Sequence, residues 1–208
     1  ALVFPELYDL AMSNLGIAIL YDLLNQQPDG LAERVFLPWT DMEEAMRDAD
    51  LPLYSLESKH PLEAFDIVAV SLPYESLYTN LLNTLDLGHI PLFSKDRREE
   101  HPLVIAGGHA CFNPEPVAPF LDAVVIGEGE EVLLEIVHLV KTLKKQAAAR
   151  EKILHELACL PGVYIPALYR AHYHPAGHFS HLEALQPGVP RTITKRIAAA
   201  LPPPPTKL

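Results

Sequence analysis

The sequence predicts an α/β fold built around a doubly wound parallel sheet. Two apolar runs, Leu103–Ala106 and Ala123–Ile126, are rich in Val and Ile, and each stops at a glycine. Runs without polar alternation are typical of strands that are buried on both faces of a parallel sheet. Strand-like and helix-like segments also alternate along most of the chain, and this alternation predicts right-handed crossovers between parallel strands.

The first half of the chain is expected to contain three strands and three helices. A strand at Leu2–Phe4 precedes a helix with Ser13 as its N-cap. A second strand, Arg34–Leu37, precedes a polar helix that Asp41 caps, and the third strand, Phe65–Leu72, leads into another helix. The apolar faces of the first and third helices are formed by Ile17, Leu20, Tyr21 and Leu24, and by Leu77, Leu81, Leu82 and Leu85.

The second half begins with the two glycine-ended strands, which the loop His109–Leu121 connects. A long helix follows from Glu130 or Glu131, where acidic side chains suit the positive end of the helix dipole. With these two strands the sheet has five, starting near residues 2, 34, 66, 103 and 123. We therefore expect residues 1–143 to form one α/β domain.

Residues 144–208 are expected to form an extension consisting of a helix, a β-hairpin and a linker. The helical stretch covers Lys144–Ala158, and Pro175–Gly177 supplies the hairpin turn. The hairpin strands are expected at Val163–Arg170 and His178–Leu182. The linker contains Pro202–Pro205, a sequence typical of a stiff polyproline spacer.

Composition excludes several classes of protein. The 208 residues carry a formal net charge of −11, which makes binding of nucleic acid through phosphate contacts a poor fit. Two separated cysteines, Cys111 and Cys159, exclude a disulfide framework and a cysteine-only zinc or iron–sulfur site. Neither an export signal nor a membrane-spanning run is visible, so we expect a cytoplasmic protein. The two ends resemble those of an N-terminal piece of a longer protein.

Loops that follow four of the strands should meet at the carboxyl edge of the sheet, where α/β proteins bind their ligands. They are Met12–Gly16, Ser71–Glu75, Gly107–Gly108 and Gly127–Glu130. Their small residues, hydroxyls and free N–H groups suit a large polar cofactor with a phosphate and sugar tail. Glycines at strand ends also make tight turns in any sheet of this class, and the residues alone do not separate the two interpretations.

Taken together, several segments resemble the N-terminal cobalamin-binding-type domain of cobalamin-dependent radical S-adenosylmethionine proteins, over about residues 1–142. The segments are Met12–Gly16, Glu33–Phe36, Ser71–Glu75, Ile105–Gly108, Asn113–Pro116 and Ile126–Glu130. The resemblance implies a flavodoxin-like five-stranded sheet that holds cobalamin at its carboxyl edge, with the nucleotide tail between the first and third strands. It also implies a module that presents the corrinoid to a downstream iron–sulfur radical barrel.

The same resemblance assigns cofactor-binding residues in this chain. They are Met12, Ser13, Asn14, Gly16, Ser71, Leu72, Tyr74, Glu75, Gly107, Gly108, Asn113, Gly127, Glu128, Gly129 and Glu130. The C-x-x-x-C-x-x-C motif that holds a 4Fe-4S cluster is absent, so the cluster and S-adenosylmethionine belong to the downstream barrel, which is the expected partner. In the full protein the implied reaction is a radical modification, such as methyl transfer through cobalt.

One departure from the pattern keeps other functions open. Cobalamin domains of the methionine-synthase type carry D-x-H-x-x-G after the first strand, whereas Asp9–Gly16 contains no histidine. Either cobalt has no protein ligand from this loop, or the domain has lost the cofactor and acts as a docking or substrate-presenting module. A flavin or nucleotide binder, with phosphate at the helix that starts near Ser13, is a third hypothesis.

No catalytic residue or metal ligand is assigned within the chain. The acidic residues Glu128, Glu130 and Glu131 are better explained as helix N-terminal acids than as a catalytic pair. His109 is interpreted as a loop residue and Cys111 as a packing residue. A histidine cluster is interpreted as a solvated hairpin surface rather than a zinc site, because alternate strand residues point to opposite faces; it comprises His172, His174, His178 and His181.

Overall fold

A six-stranded sheet lies at the centre of the computed structural model, which describes residues 1–200, 202, 203 and 205. Its strands are β1 (Leu2–Leu7), β2 (Arg34–Leu37), β3 (Ile67–Ser71), β4 (Leu103–Gly107), β5 (Ala123–Val125) and β6 (Val163–Tyr164). The strand order is β2-β1-β3-β4-β5-β6, and β1 to β5 are parallel. The order of the five parallel strands confirms the flavodoxin-like, doubly wound fold.

The sheet has one strand more than predicted. Val163–Tyr164 pairs antiparallel with β5, where Val124 faces Tyr164. The sequence prediction placed these residues in the first hairpin strand, which was expected to run unbroken from Val163 to Arg170. Pro166 interrupts that run, because proline has no N–H to donate to a neighbouring strand and starts a short 3-10 turn here. The chain therefore completes the sheet first and enters the hairpin afterwards.

The helices that cover the sheet are α1 (Tyr8–Ala11), α2 (Leu15–Asn25), α3 (Thr40–Asp48), α4 (Tyr78–Leu87), α5 (Val132–Lys145) and α6 (Arg150–Ala158). Short 3-10 turns occupy Leu62–Ala64, Glu75–Leu77, Ser94–Asp96, His109–Phe112, Ala118–Phe120 and Pro166–Leu168. A separate hairpin is formed by β7 (Tyr169–Tyr173) and β8 (Phe179–Ala184). The polyproline spacer predicted at Pro202–Pro205 falls partly outside the described residues.

Two helix caps differ from the prediction. The N-cap of α2 is Asn14, whose Oδ1 accepts a hydrogen bond from the Ile17 N–H at 3.0 Å, and not Ser13. Asn and Ser are equally good N-caps, so adjacent candidates are separated only by the backbone conformation. Helix α3 begins at Thr40, which places Asp41 inside its first turn, where the carboxylate accepts from the Met42 N–H.

The predicted core strands are buried on both faces, as their lack of polar alternation indicates. Every residue of Leu103–Ala106 and Ala123–Val125 is buried. A single carboxylate, that of Asp122, lies at the start of β5 and accepts hydrogen bonds from Arg97 Nη1 at 2.9 Å, from Arg150 Nη2 at 2.8 Å and from the Val104 N–H at 2.7 Å. This buried network fastens α6 and the 94–97 turn to the amino-terminal edge of the central strands.

None of the helices in the described part of the chain has the length and apolar character needed to cross a membrane.

Candidate functional site

A slot of about 250 Å³ opens at the carboxyl edge of the parallel strands, and we call it the edge slot. Residues of β1, β3, β4 and β5 form one wall, and residues from the starts of α2 and α5 form the other. The slot brings together eight residues that the sequence assigns to cofactor binding, from all four predicted loops: Gly16, Ser71, Gly107, Gly108, Gly127, Glu128, Gly129 and Glu130. Four loops that are distant in sequence therefore meet at one edge of the sheet.

The edge slot is hollow because its sheet wall carries small side chains. Ala69 pairs with Ile105, and Ser71 pairs with Gly107. Alternate residues of a strand share a face, so these four positions lie on the same side of the sheet. At three of them the side chain is a methyl group, a hydroxymethyl group or a hydrogen atom. A sheet face of the usual Val and Ile composition would fill this space.

Four of the five glycines that line the edge slot fall into two groups. Gly108 and Gly127 both have a φ of +114°, a conformation that side chains rarely adopt. A Cβ at Gly108 would lie 2.6 Å from the Leu72 carbonyl oxygen, and one at Gly127 would overlap the Arg196 backbone. The fold itself therefore requires glycine at these two positions.

The other two glycines, Gly107 and Gly129, have no such requirement. A Cβ at Gly107 would approach nothing closer than the Val125 Cβ, at 3.6 Å, and one at Gly129 would meet only the Leu20 side chain, at 3.8 Å. Neither residue has a positive φ. A side chain at either position would extend into the edge slot without disturbing the backbone, so the structure shows room that tight turns do not explain.

One buried acceptor in the edge slot has no partner. Glu130 Oε2 is buried and receives no hydrogen bond, and it is the sole buried side-chain oxygen or nitrogen in this state among the residues that the structure describes. An unsatisfied buried polar group costs about 1–3 kcal/mol. Native proteins contain few such groups, and a hydrogen bond from a ligand or an ordered water is one way to satisfy them.

The remaining predicted cofactor-binding residues lie outside the slot lining. Met12 and Tyr74 are exposed by 40% and 45%, whereas Leu72 is fully buried. The Leu72 N–H donates to the Gly107 carbonyl oxygen at 2.7 Å, so Leu72 belongs to the sheet core. Ser13 and Glu75 are exposed, Asn14 caps α2, and the carbonyl oxygen of Asn113 accepts from the Tyr78 hydroxyl at 3.0 Å.

Sequence reasoning missed a segment near the C-terminus that borders the edge slot. Residues 195–199, which we call the rim segment, lie along the Gly127–Glu131 loop. The Arg196 N–H donates to the Ile126 carbonyl oxygen at 2.8 Å, and the Glu128 N–H donates to the Arg196 carbonyl oxygen at 3.1 Å. No sequence pattern marks this pairing, because the partners are about seventy positions apart and the rim segment has the composition of a linker.

The rim segment also engages the acidic residues of the loop. The Ala198 N–H donates to Glu128 Oε2 at 2.6 Å, and the Ala199 N–H donates to Glu131 Oε1 at 2.9 Å. The Arg196 guanidinium forms ion pairs with Glu131 and Glu135, and the hydrogen bond to Glu135 raises the pKa of Arg196. Glu128 and Glu131 therefore hold the rim segment, and Glu130 does not take part.

Two other candidate sites lack the geometry for chemistry. In the hairpin, His172 Nε2 lies 2.8 Å from Glu183 Oε2 and its ring stacks on His181 at 4.6 Å. No group of three or more residues suited to holding a metal ion occurs in the described part of the chain. Cys111 is buried, and its burial raises the pKa of the thiol to about 12, so that the reactive thiolate is scarce at neutral pH.

Comparison with known proteins relates most of the chain to a family. Residues 16–166 match the family described as radical SAM proteins, N-terminal. Over 143 residues the chain is 24% identical to the uncharacterized protein MJ0966 of Methanocaldococcus jannaschii, an alignment that covers 66% of this chain and 26% of that protein. The chain thus spans about a quarter of the length of this curated relative.

A solved structure is also similar. It is that of the radical S-adenosylmethionine methyltransferase TsrM from Kitasatospora setae, with tryptophan substrate and the analog aza-SAM bound. The similarity covers 85% of this chain and 28% of that chain, with 15% sequence identity and a TM-score of 0.44.

Proposed function

Because the chain belongs to the family of radical SAM protein N-terminal domains, we propose that its edge slot binds cobalamin and presents it to a downstream iron–sulfur radical barrel. The observation that carries this proposal is the unfilled space beside Gly107 and Gly129. Cobalamin, when bound, supplies a cobalt centre for group transfer such as methylation. S-adenosylmethionine and the 4Fe-4S cluster belong to the barrel in this proposal.

The size of the edge slot suits one arm of a large cofactor. Pockets that enclose a whole small-molecule ligand start at roughly 300 Å³. The edge slot has about 250 Å³, which accommodates a nucleotide arm but not a complete corrinoid. Gly107 and Gly129 would allow the arm to approach the main chain, while Ser71 and Glu130 would offer it polar groups.

Exposed apolar side chains around this edge support presentation to a partner. They stand on loops that follow separate strands and on the rim segment: Met12, Tyr74, Phe112 and Ile197, which are 40%, 45%, 49% and 67% exposed. Exposed apolar side chains are typical of a covered face where they form a contiguous patch. We propose that the downstream barrel of the same protein covers it, which would exclude water from the cofactor.

The residues of the edge slot would hold cobalamin by shape and hydrogen bonding. Its lining contains neither histidine nor cysteine, and the Asp9–Gly16 region contains no histidine either. This chain therefore offers cobalt no imidazole or thiolate from the slot.

The missing histidine favours a second candidate function, that of a cofactor-free docking module. The docking-module hypothesis predicts that side chains fill the space for the nucleotide tail between the first and third strands. The candidates for filling it are Met12, Leu72 and Tyr74. Those three residues lie outside the slot lining, which supports cofactor binding over the docking module. A mononucleotide binder is disfavoured because Asn14 Oδ1 already accepts a hydrogen bond from the Ile17 N–H, one of the donors that a phosphate at the start of α2 would use.

A spectral titration tests the proposal. The folded chain is titrated with hydroxocobalamin, and in parallel with flavin mononucleotide, while corrinoid or flavin absorbance is followed. We expect a saturable change with hydroxocobalamin and none with the flavin. Absence of a corrinoid signal at saturating cofactor, from protein with a native circular dichroism spectrum, would favour the docking module. A saturable flavin signal would instead favour the nucleotide binder.

A further inference from the structure

Three glutamates lie within four consecutive positions at the rim of the edge slot, and only one of them is left without a partner. Glu128 and Glu131 accept hydrogen bonds from the rim segment. Glu130 makes no hydrogen bond or ion pair with the described residues, and its Oε2 is buried in the slot lining. The three glutamate side chains are identical and close in sequence, but they differ in their hydrogen bonding.

Neither a cationic side chain nor a backbone N–H of the described residues donates to the Glu130 carboxylate. The guanidinium of Arg196 in the rim segment is committed to Glu131 and Glu135. Helix α5 starts beside Glu130, but no side chain caps its N-terminus. A buried carboxylate oxygen without a donor is destabilising, and a ligand that donates to it would remove the penalty.

We propose that Glu130 is a specificity-determining residue of the edge slot, whose carboxylate accepts a hydrogen bond from an uncharged O–H donor on the nucleotide arm of cobalamin. A ribose hydroxyl has this chemistry, whereas a phosphate offers only acceptors and negative charge. This inference rests on the proposed function and adds the group that the slot recognises. Glu130 lines the edge slot between Gly129 and the start of α5, and its Oε2 is the buried, unpartnered oxygen.

Amide N–H groups at the corrin periphery are a second source of uncharged donors, and the choice of ligand separates the two. Cobinamide keeps the corrin amides and lacks the nucleotide. Glu130→Ala and Glu130→Gln are therefore titrated with hydroxocobalamin and with cobinamide. The thermal midpoint of each cofactor-free variant is measured in parallel, and Glu44→Gln serves as the control because Glu44 is exposed on α3, away from the slot.

We expect Glu130→Ala to weaken hydroxocobalamin binding at least tenfold, which corresponds to about 1.4 kcal/mol. Glu130→Gln keeps one acceptor oxygen and should lose less. Cobinamide affinity should be the same for the variants and for the unaltered chain. The thermal midpoint of Glu130→Ala without cofactor should stay unchanged or rise, because the substitution removes an orphaned buried oxygen, whereas a purely structural role would lower it.

The outcomes distinguish this inference from the proposed function. If the unaltered chain binds neither corrinoid, the proposed function fails and the assignment of Glu130 fails with it. If the unaltered chain binds hydroxocobalamin and Glu130→Ala binds it equally well, the assignment alone is overturned. If Glu130→Ala loses cobinamide affinity to the same extent, the donor lies among the corrin amides and the assignment to the nucleotide arm is overturned. A lowered thermal midpoint of Glu130→Ala, with binding lost in proportion, would also overturn the assignment.

Discussion

Substitution of Gly107 tests whether the space in the edge slot is used by a ligand. The position tolerates a Cβ, since the nearest atom would be the Val125 Cβ at 3.6 Å, and its φ is not positive. Replacing glycine by alanine at such a position stabilises proteins by about 0.4–1 kcal/mol, because the unfolded chain loses conformational freedom. We therefore expect Gly107→Ala to raise the free energy of unfolding of the cofactor-free chain by roughly that amount.

The effect of larger side chains on binding follows from the slot volume. Leucine adds four carbon groups, each about the size of one water (~30 Å³), and so removes roughly 120 Å³. This is about half of the 250 Å³ in the edge slot. Overpacking of this kind costs about 1–3 kcal/mol, which corresponds to a loss of affinity between roughly 5-fold and 150-fold. We expect Gly107→Leu to lie at the upper end of this range and Gly107→Ala at the lower end.

The assay combines urea denaturation of the cofactor-free chain with a hydroxocobalamin titration of the same preparations. Gly108→Ala is the matched control, because a Cβ there would lie 2.6 Å from the Leu72 carbonyl oxygen. That variant should lose stability, and any loss of binding should follow the loss of fold. Opposite changes in stability and affinity at Gly107 are the signature of a ligand site. If Gly107→Leu folds and binds hydroxocobalamin like the unaltered chain, the arm does not enter the slot.

Three further predictions concern the residues around the site and beneath it. Asp122→Ala should lower the free energy of unfolding by about 3–5 kcal/mol, as measured by urea denaturation, because it leaves two buried guanidinium groups without their carboxylate. Arg196→Ala removes partly exposed ion pairs and should cost about 1 kcal/mol or less. Amide hydrogen exchange should nevertheless become faster at Glu128, whose N–H donates to the rim segment. A thiol reagent should modify the exposed Cys159 in the native chain and should reach the buried Cys111 only after unfolding.

The fold was predictable where composition alone identifies an element. Leu103–Ala106 and Ala123–Val125 consist of buried apolar residues, and a continuous apolar run of this kind is typical of a strand covered on both faces. The sixth strand was missed because Val163–Tyr164 is two residues long and carries no alternation to read. Its pairing with β5 depends on how α6, which precedes it, packs against the sheet. This tertiary packing cannot be read from the local sequence.

The candidate site was predictable as a set of converging loops but not in its internal geometry. Gly107 and Gly108 look equivalent in the sequence, but the backbone requires glycine only at Gly108, where φ is +114°, and not at Gly107. The three neighbouring glutamates are likewise indistinguishable in sequence. Their different roles depend on Arg196 and the rest of the rim segment, which belong to a distant part of the chain.

The rim segment gives the chain beyond the domain a physical connection to the edge slot. Gly127 must be glycine because the Arg196 backbone lies against it, so the shape of the Gly127–Glu131 loop and the position of the rim segment depend on each other. The same loop contributes Gly129 and Glu130 to the slot lining. A ligand that orders the loop from the slot side would thereby favour the paired position of the rim segment, since linked equilibria act in both directions. Occupancy of the slot and the position of the rim segment should therefore be coupled through the Gly127–Glu131 loop.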